Sequence, residues 1–146
     1  MMDLKLWYKK PAALKTLSTR KHGVIEASAG TGKTYTLQHL LVEILLSESV
    51  SIDQVLLVTF TVAATSDLKR KIREILEELV QGWEFARARG YAEALLEGGQ
   101  VEAVDGVDEP EEYWAIDLKG VQSLRRGLRS FDKASIIRFT GFVSGC

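Results

Sequence analysis

Eight residues, Ala27-Ser28-Ala29-Gly30-Thr31-Gly32-Lys33-Thr34, demand a particular piece of fold around them. Gly30 and Gly32 allow backbone conformations that turn successive N–H groups inward, which makes a nest for an anion. A helix starting at that point sets its positive dipole end under the anion. Lys33 is placed to reach the β- and γ-phosphates of a nucleotide, and the Thr34 hydroxyl to ligate Mg²⁺. The run is a phosphate loop with Ala27 in place of the usual first glycine. Its mechanism requires a buried strand before it and a helix after it. The chain offers both. Val24-Ile25-Glu26-Ala27 is short and β-rich, and Leu37, Leu40, Leu41, Ile44 and Leu45 recur at helical spacing, which predicts an amphipathic helix over Gly32–Ser47. The loop alone does not separate kinase, GTPase, transporter ATPase and helicase.

The rest of the chain continues the alternation. Val55–Phe60 is a continuous apolar run, as expected for a parallel strand covered on both faces. A second helix is predicted from about Ala63 to Arg89, with Leu68, Ile72, Ile75, Leu76 and Leu79 as its buried stripe. Gly90 ends or kinks it. Met1–His22 reads as an irregular leader interrupted by Pro11. Tyr91–Leu96 continues in helical style, and Glu97–Glu109 is a glycine- and acid-rich surface loop. Glu111–Trp114 starts a helix after Pro110, Val121–Phe131 is helical and basic on one side, and Ala134–Phe139 is a strand. Strand, helix, strand, helix is a βαβ arrangement with a right-handed crossover and a small parallel sheet.

At 146 residues there is room for one domain or part of a larger one. A formal net charge of −1 gives no global field toward nucleic acid or membrane, so any DNA binding is local. The single cysteine, Cys146, excludes an intramolecular disulfide. No stretch approaches the roughly 18 apolar residues of a membrane span, and the N-terminus lacks the apolar core of a signal peptide. The expected location is the cytoplasm, away from membranes.

Two segments carry a family resemblance. Ile25–Leu37, which contains the phosphate loop, resembles the start of the beta subunit of exodeoxyribonuclease V, the RecB type, a member of the UvrD/Rep-like helicases of superfamily 1. Val55-Leu56-Leu57-Val58-Thr59-Phe60-Thr61, running into the alanine-rich start Val62-Ala63-Ala64-Thr65 and on to Arg73, is similar to the second helicase motif of that family. The resemblance implies a RecA-like P-loop NTPase partial domain of α/β class, with a small parallel sheet, flanking helices and a helical insertion. It implies ATP and Mg²⁺ as cofactors, Lys33 and Thr34 as catalytic residues, and Ala27–Thr34 as the nucleotide cradle. It further implies single-stranded DNA at Thr59, Phe60 and Thr61, with a core-filling Phe60 as the alternative, and RecC- and RecD-type subunits as partners of the full-length family. Lys69, Arg70, Lys71 and Arg73 read as a solvated helix face whose alternative is contact with DNA phosphates, and Arg73 is taken as the DNA-binding candidate among them. Stacking and phosphate contacts of that kind bind DNA without reading its sequence. Val62 departs from the family's usual Glu or Asn, and the first glutamine is Gln38, inside the helix, with Arg20 near the place of the family's adenine-binding glutamine. ATP over GTP rests on the resemblance.

On this reading residues 1–22 are a leader, 23–84 the first βαβα part of a UvrD-like ATP-binding domain, 85–130 a helical insertion with an acidic loop, and 131–146 the start of the next motif. Phe131–Ile136 matches the lead-in to that motif, but Ile137–Cys146 does not follow it. Losing one base from one possible coding of the family motif reproduces Ile137 to Cys146 and then a stop codon. A frameshift near codon 137 is therefore expected, and the nucleotide sequence checks it. An acidic Walker B pair, later arginines and nuclease carboxylates are all needed for the full activity. None is recognisable here, since Asp108-Glu109 follows a glycine-rich loop and reads as surface charge. The expected function is the ATP-binding N-terminal part of an ATP-dependent DNA helicase/exonuclease subunit, inactive alone. The alternatives are a small stand-alone P-loop module or kinase and a non-enzymatic remnant.

Overall fold

A computed structural model describes residues 4–11, 31–47, 56–59, 62–130 and 135–138. In chain order these form β1 (Lys5–Lys9), α1 (Thr31–Ser47), β2 (Leu56–Thr59), α2 (Val62–Ala88), β3 (Glu93–Glu97), β4 (Gln100–Ala103), a 3₁₀ turn (Pro110–Glu112), β5 (Tyr113–Ile116), α3 (Leu118–Arg129) and β6 (Ser135–Arg138). The chain is α/β, with two sheets. One has four strands in the order β4-β3-β1-β5, and the other pairs β2 with β6. The second is parallel, Leu57 opposite Ile136 and Val58 opposite Ile137. The expected strand at Val24–Ala27 lies outside the described residues.

The four-stranded sheet is mixed, not parallel. β1 runs parallel to β3 and antiparallel to β5, and β3–β4 is an antiparallel hairpin. Its helix-facing side carries Leu6 from β1, Ala94 and Leu96 from β3, and Trp114 and Ile116 from β5, all buried. Register explains why these meet: Leu6 stands opposite both Ala94 and Ile116, and Tyr8 opposite both Leu96 and Trp114. Against this face pack Leu41, Val42 and Leu45 of α1, the stripe Leu68, Ile72, Ile75, Leu76, Leu79, Trp83 and Ala86 of α2, and Val121 and Leu124 of α3. The predicted stripe of α2 is thus the core stripe. Gly82 lets α2 approach the hairpin, since a Cβ there would stand 3.2 Å from Leu96 and 3.5 Å from Val101. Arg125 of α3 pairs with Glu84 of α2 and lies 6.0 Å from the centre of the Trp83 ring.

Several expectations are corrected. Met1–His22 is not wholly irregular: its Lys5–Lys9 is an inner strand. Leu-Trp-Tyr is β-prone, but the strand exists only through pairing with β3 and β5, far away in sequence. Tyr91–Leu96 is not helical. Its Ala, Glu and Leu favour helix, yet the turns at Gly90 and Gly98-Gly99 cut the stretch to strand length, and β1 supplies its partner. Glu97–Glu109, read as a loop, contains β4, joined to β3 through Gly98 and Gly99 at φ of 60° and 76°. Positive φ at both central residues is the pattern that tight hairpins prefer. Glu111–Trp114, read as a helix start, is the end of a 3₁₀ turn followed by β5. The stretch 85–130, read as a helical insertion, holds three of the four strands of the larger sheet, with α3 as its one full helix after α2.

Candidate nucleotide and DNA site

Helix α1 carries the end of the glycine-rich motif. It begins at Thr31, so Thr31, Gly32, Lys33 and Thr34 form its first turn, and no acidic residue joins them there. Ala27, Ser28, Ala29 and Gly30 lie outside the described residues. A helix leaves its first N–H groups without intrahelical acceptors and concentrates partial positive charge at that end.

The position of α1 is set by three side chains within two turns. The Gln38 amide donates to the Lys71 carbonyl of α2 at 2.8 Å. The Tyr8 hydroxyl of β1 lies 3.3 Å from His39 Nε2, and the Trp114 indole of β5 donates to Glu43 Oε2 at 3.3 Å. The rings of Tyr8, His39 and Trp114 lie near-parallel, with centroids 5.9–6.0 Å apart. His39 is only 1% exposed. Sequence reasoning missed this trio. A signal was present, because His39 stands three residues before the buried Val42 and so on the same helix face. Gln38, noted as the first glutamine, spends its amide on joining two helices.

The second motif is divided. Thr59 closes β2, Phe60 and Thr61 lie outside the described residues, and α2 begins at Val62. Along the first turns of α2 the cations differ. Arg70 is held by Asp67 at 2.6 Å and Glu74 at 2.9 Å, and Lys71 by Asp67 at 3.3 Å. Desolvation works upward on the Asp67 carboxyl, but the hydrogen bonds and charges of Arg70 and Lys71 outweigh it and hold the group below its ordinary value. Lys69 and Arg73 are exposed. Asp108 and Glu109 are also exposed, and Glu109, at φ 54°, leads into the 3₁₀ turn. Among the described residues no group of three His, Cys, Asp or Glu side chains could hold a metal ion. No helix among them is long and apolar enough to cross a membrane.

In this α/β chain a glycine-rich motif runs into one long helix, followed by a strand and a second long helix, the order expected from the helicase resemblance of its sequence. The chain belongs to the UvrD/REP helicase N-terminal domain family, whose sequence profile matches residues 9–123. It is similar to the RecBCD enzyme subunit RecB of Haemophilus influenzae, with 43% identity over 72 residues, 44% of this chain and 6% of the relative. It is 47% identical over 73 residues to the RecBCD enzyme subunit RecB of Chlamydia muridarum, covering 49% of this chain and 7% of that protein. It is 42% identical over 64 residues to the RecBCD enzyme subunit RecB of Escherichia coli, covering 38% of this chain and 5% of the relative. The chain therefore spans only a small fraction of the length of these relatives.

Proposed function

We propose that this chain is the ATP-binding N-terminal part of an ATP-dependent DNA helicase/exonuclease subunit of RecB type, acting in recombinational DNA repair in the cytoplasm. What supports this is the coincidence of a family match over residues 9–123 with a glycine-rich motif whose last four residues open a 17-residue helix. On this reading the core is RecA-like, and the parallel pair β2–β6 belongs to its sheet. Backbone N–H groups of Ala27–Thr34 cradle the phosphates, and Lys33 neutralises charge on the β- and γ-oxygens. Thr34 would hold Mg²⁺, which, when bound, supplies charge neutralisation across the phosphates. Thr59, Phe60, Thr61 and Arg73 contact single-stranded DNA. RecC- and RecD-type subunits are the partners of the longer polypeptide.

Binding and turnover separate on this reading. The chain binds nucleotide but hydrolyses it weakly or not at all, because groups that stabilise transition-state charge typically contribute orders of magnitude in rate. The test is equilibrium binding of a fluorescent ATP analogue with Mg²⁺, alongside phosphate release with and without single-stranded DNA. Saturable binding that Lys33→Ala weakens about tenfold or more, without turnover, is expected. Binding indifferent to Lys33→Ala removes the nucleotide site, and robust DNA-stimulated turnover removes the claim of inactivity.

A further inference from the structure

Charge is divided sharply along this chain. Between Tyr91 and Leu118 there are nine Asp and Glu residues and no Lys or Arg, so all 19 basic side chains lie elsewhere. That acidic stretch folds as β3, β4, the 3₁₀ turn and β5. Where its hairpin meets α2 there is an open groove of about 620 Å³. The α2 wall presents Glu74, Glu77, Glu78 and Phe85, and the hairpin wall presents Leu96 and Val101. Every charged residue lining the groove is acidic. Glu74 is engaged by Arg70. Glu77 and Glu78 have no ion pair among the described residues, and burial alone raises the Glu78 carboxyl above its ordinary value. Phe85 is 43% exposed, one of only two large hydrophobic side chains so exposed among the described residues. Arg89 lies over its ring at 4.3 Å. Beside the groove, β4 is an edge strand.

These features favour one kind of occupant. Nucleic acid is excluded by charge, since phosphates would meet unneutralised carboxylates. The wall from Glu74 to Phe85 covers three helical turns, roughly 16 Å at 1.5 Å per residue. A helix laid in such a groove sets an apolar side chain on Phe85, Leu96 and Val101 and basic side chains against Glu77 and Glu78. We propose that the groove between α2 and the β3–β4 hairpin is a docking site for a lysine- or arginine-bearing amphipathic helix of another protein. None of the groove residues belongs to the nucleotide motif, so the groove stands whether or not nucleotide binds.

The test uses the full chain and a fluorescein-labelled amphipathic helical peptide of leucine and lysine, with a leucine–glutamate peptide as its counterpart. Anisotropy should show salt-dependent binding of the lysine peptide. Glu77→Lys with Glu78→Lys should weaken it by about tenfold or more, the scale of close charge pairs at interfaces, and should let the glutamate peptide bind instead. Phe85→Ser should weaken both pairings. Asp108→Lys with Glu109→Lys makes the same change of net charge outside the groove and should leave affinity within about twofold. Circular dichroism establishes that each variant is folded, and Glu77→Gln with Glu78→Gln serves if the charge reversal is not. Equal losses from the two charge reversals, no binding by the wild type, or a dimer that Phe85→Ser dissolves would each overturn the proposal, the last by making a second copy the occupant.

Discussion

Single side chains in this molecule are tuned in opposite directions by their surroundings. Asp67 sits with two cations and is held low, so it stabilises the fold above its unfolded pKa and loses that contribution as pH falls through its folded value. Glu78 is the reverse. Desolvation raises its folded pKa, so the native state holds its proton to a higher pH than the unfolded chain does. Stability then falls as pH rises through that window, and the cost is complete above it. Glu78→Gln keeps the shape and nearly the helix propensity of the side chain while removing the charge. It should raise the thermal midpoint at pH 7, and the gain should vanish below about pH 4, where both states are protonated. Melting wild type and variant across that range decides it; a variant no more stable at pH 7 means the carboxylate is well solvated and the groove open to water. A costly carboxylate kept in a groove beside Phe85, Leu96 and Val101 is what a docking surface for a cation needs.

The elements divide into those set by local pattern and those set by distant partners. The stripe of α2 was legible because five apolar residues repeat at helical spacing, and burial falls on those same residues. The stop of α2 was legible for a backbone reason. Gly90 has φ 74°, its N–H bonds to the Arg87 carbonyl, and the next N–H, of Tyr91, bonds to the Ala86 carbonyl. That pair of bonds closes the helix end, and only glycine enters the left-handed region without cost. No atom lies within 4 Å of where a Cβ would stand, so a substitution there tests conformation alone. Gly90→Ala should destabilise by about 1 kcal/mol, and Gly90→Asn by less, read as shifts in the urea midpoint at constant slope. Equal midpoints for all three would show that the left-handed turn does not constrain the chain. β1 and β3 were not legible. β1 has no pairing strand near it in sequence, and β3, although it turns directly into β4, reads as Ala-Glu-Ala-Leu-Leu-Glu, which is locally a helix. The pairing of Leu6 with Ala94 is a tertiary fact that no window of residues contains. For the site, the motif types were readable, but the anchoring of α1 through His39 and Glu43 was not, because their partners Tyr8 and Trp114 lie on strands from both ends of the chain.

At the scale of the whole molecule, a net charge of −1 conceals polarity. The acidic block from Tyr91 to Leu118 repels a phosphate backbone, so DNA should approach the part of the surface that carries the second motif and the start of α2. Arg70 is committed to Asp67 and Glu74, and exposed pairs of this kind add little to stability but keep the guanidinium occupied. Arg73 is the residue proposed to contact DNA. Each phosphate neutralised on a single strand releases counterions and contributes about 0.7 to the slope of log affinity against log salt. Arg73→Ala should therefore weaken binding to oligonucleotides of any sequence alike and lower that slope by about 0.7, whereas Arg70→Ala should leave the slope unchanged. Titrations of labelled poly-dT and a mixed-sequence strand over several salt concentrations measure both. An unchanged slope in Arg73→Ala removes this residue from the DNA contact, and an equal drop in both variants means a diffuse basic field. A drop confined to Arg73→Ala would place the strand across the start of α2, away from the acidic groove. One helix would then serve nucleic acid near its first turns and a basic protein partner further along.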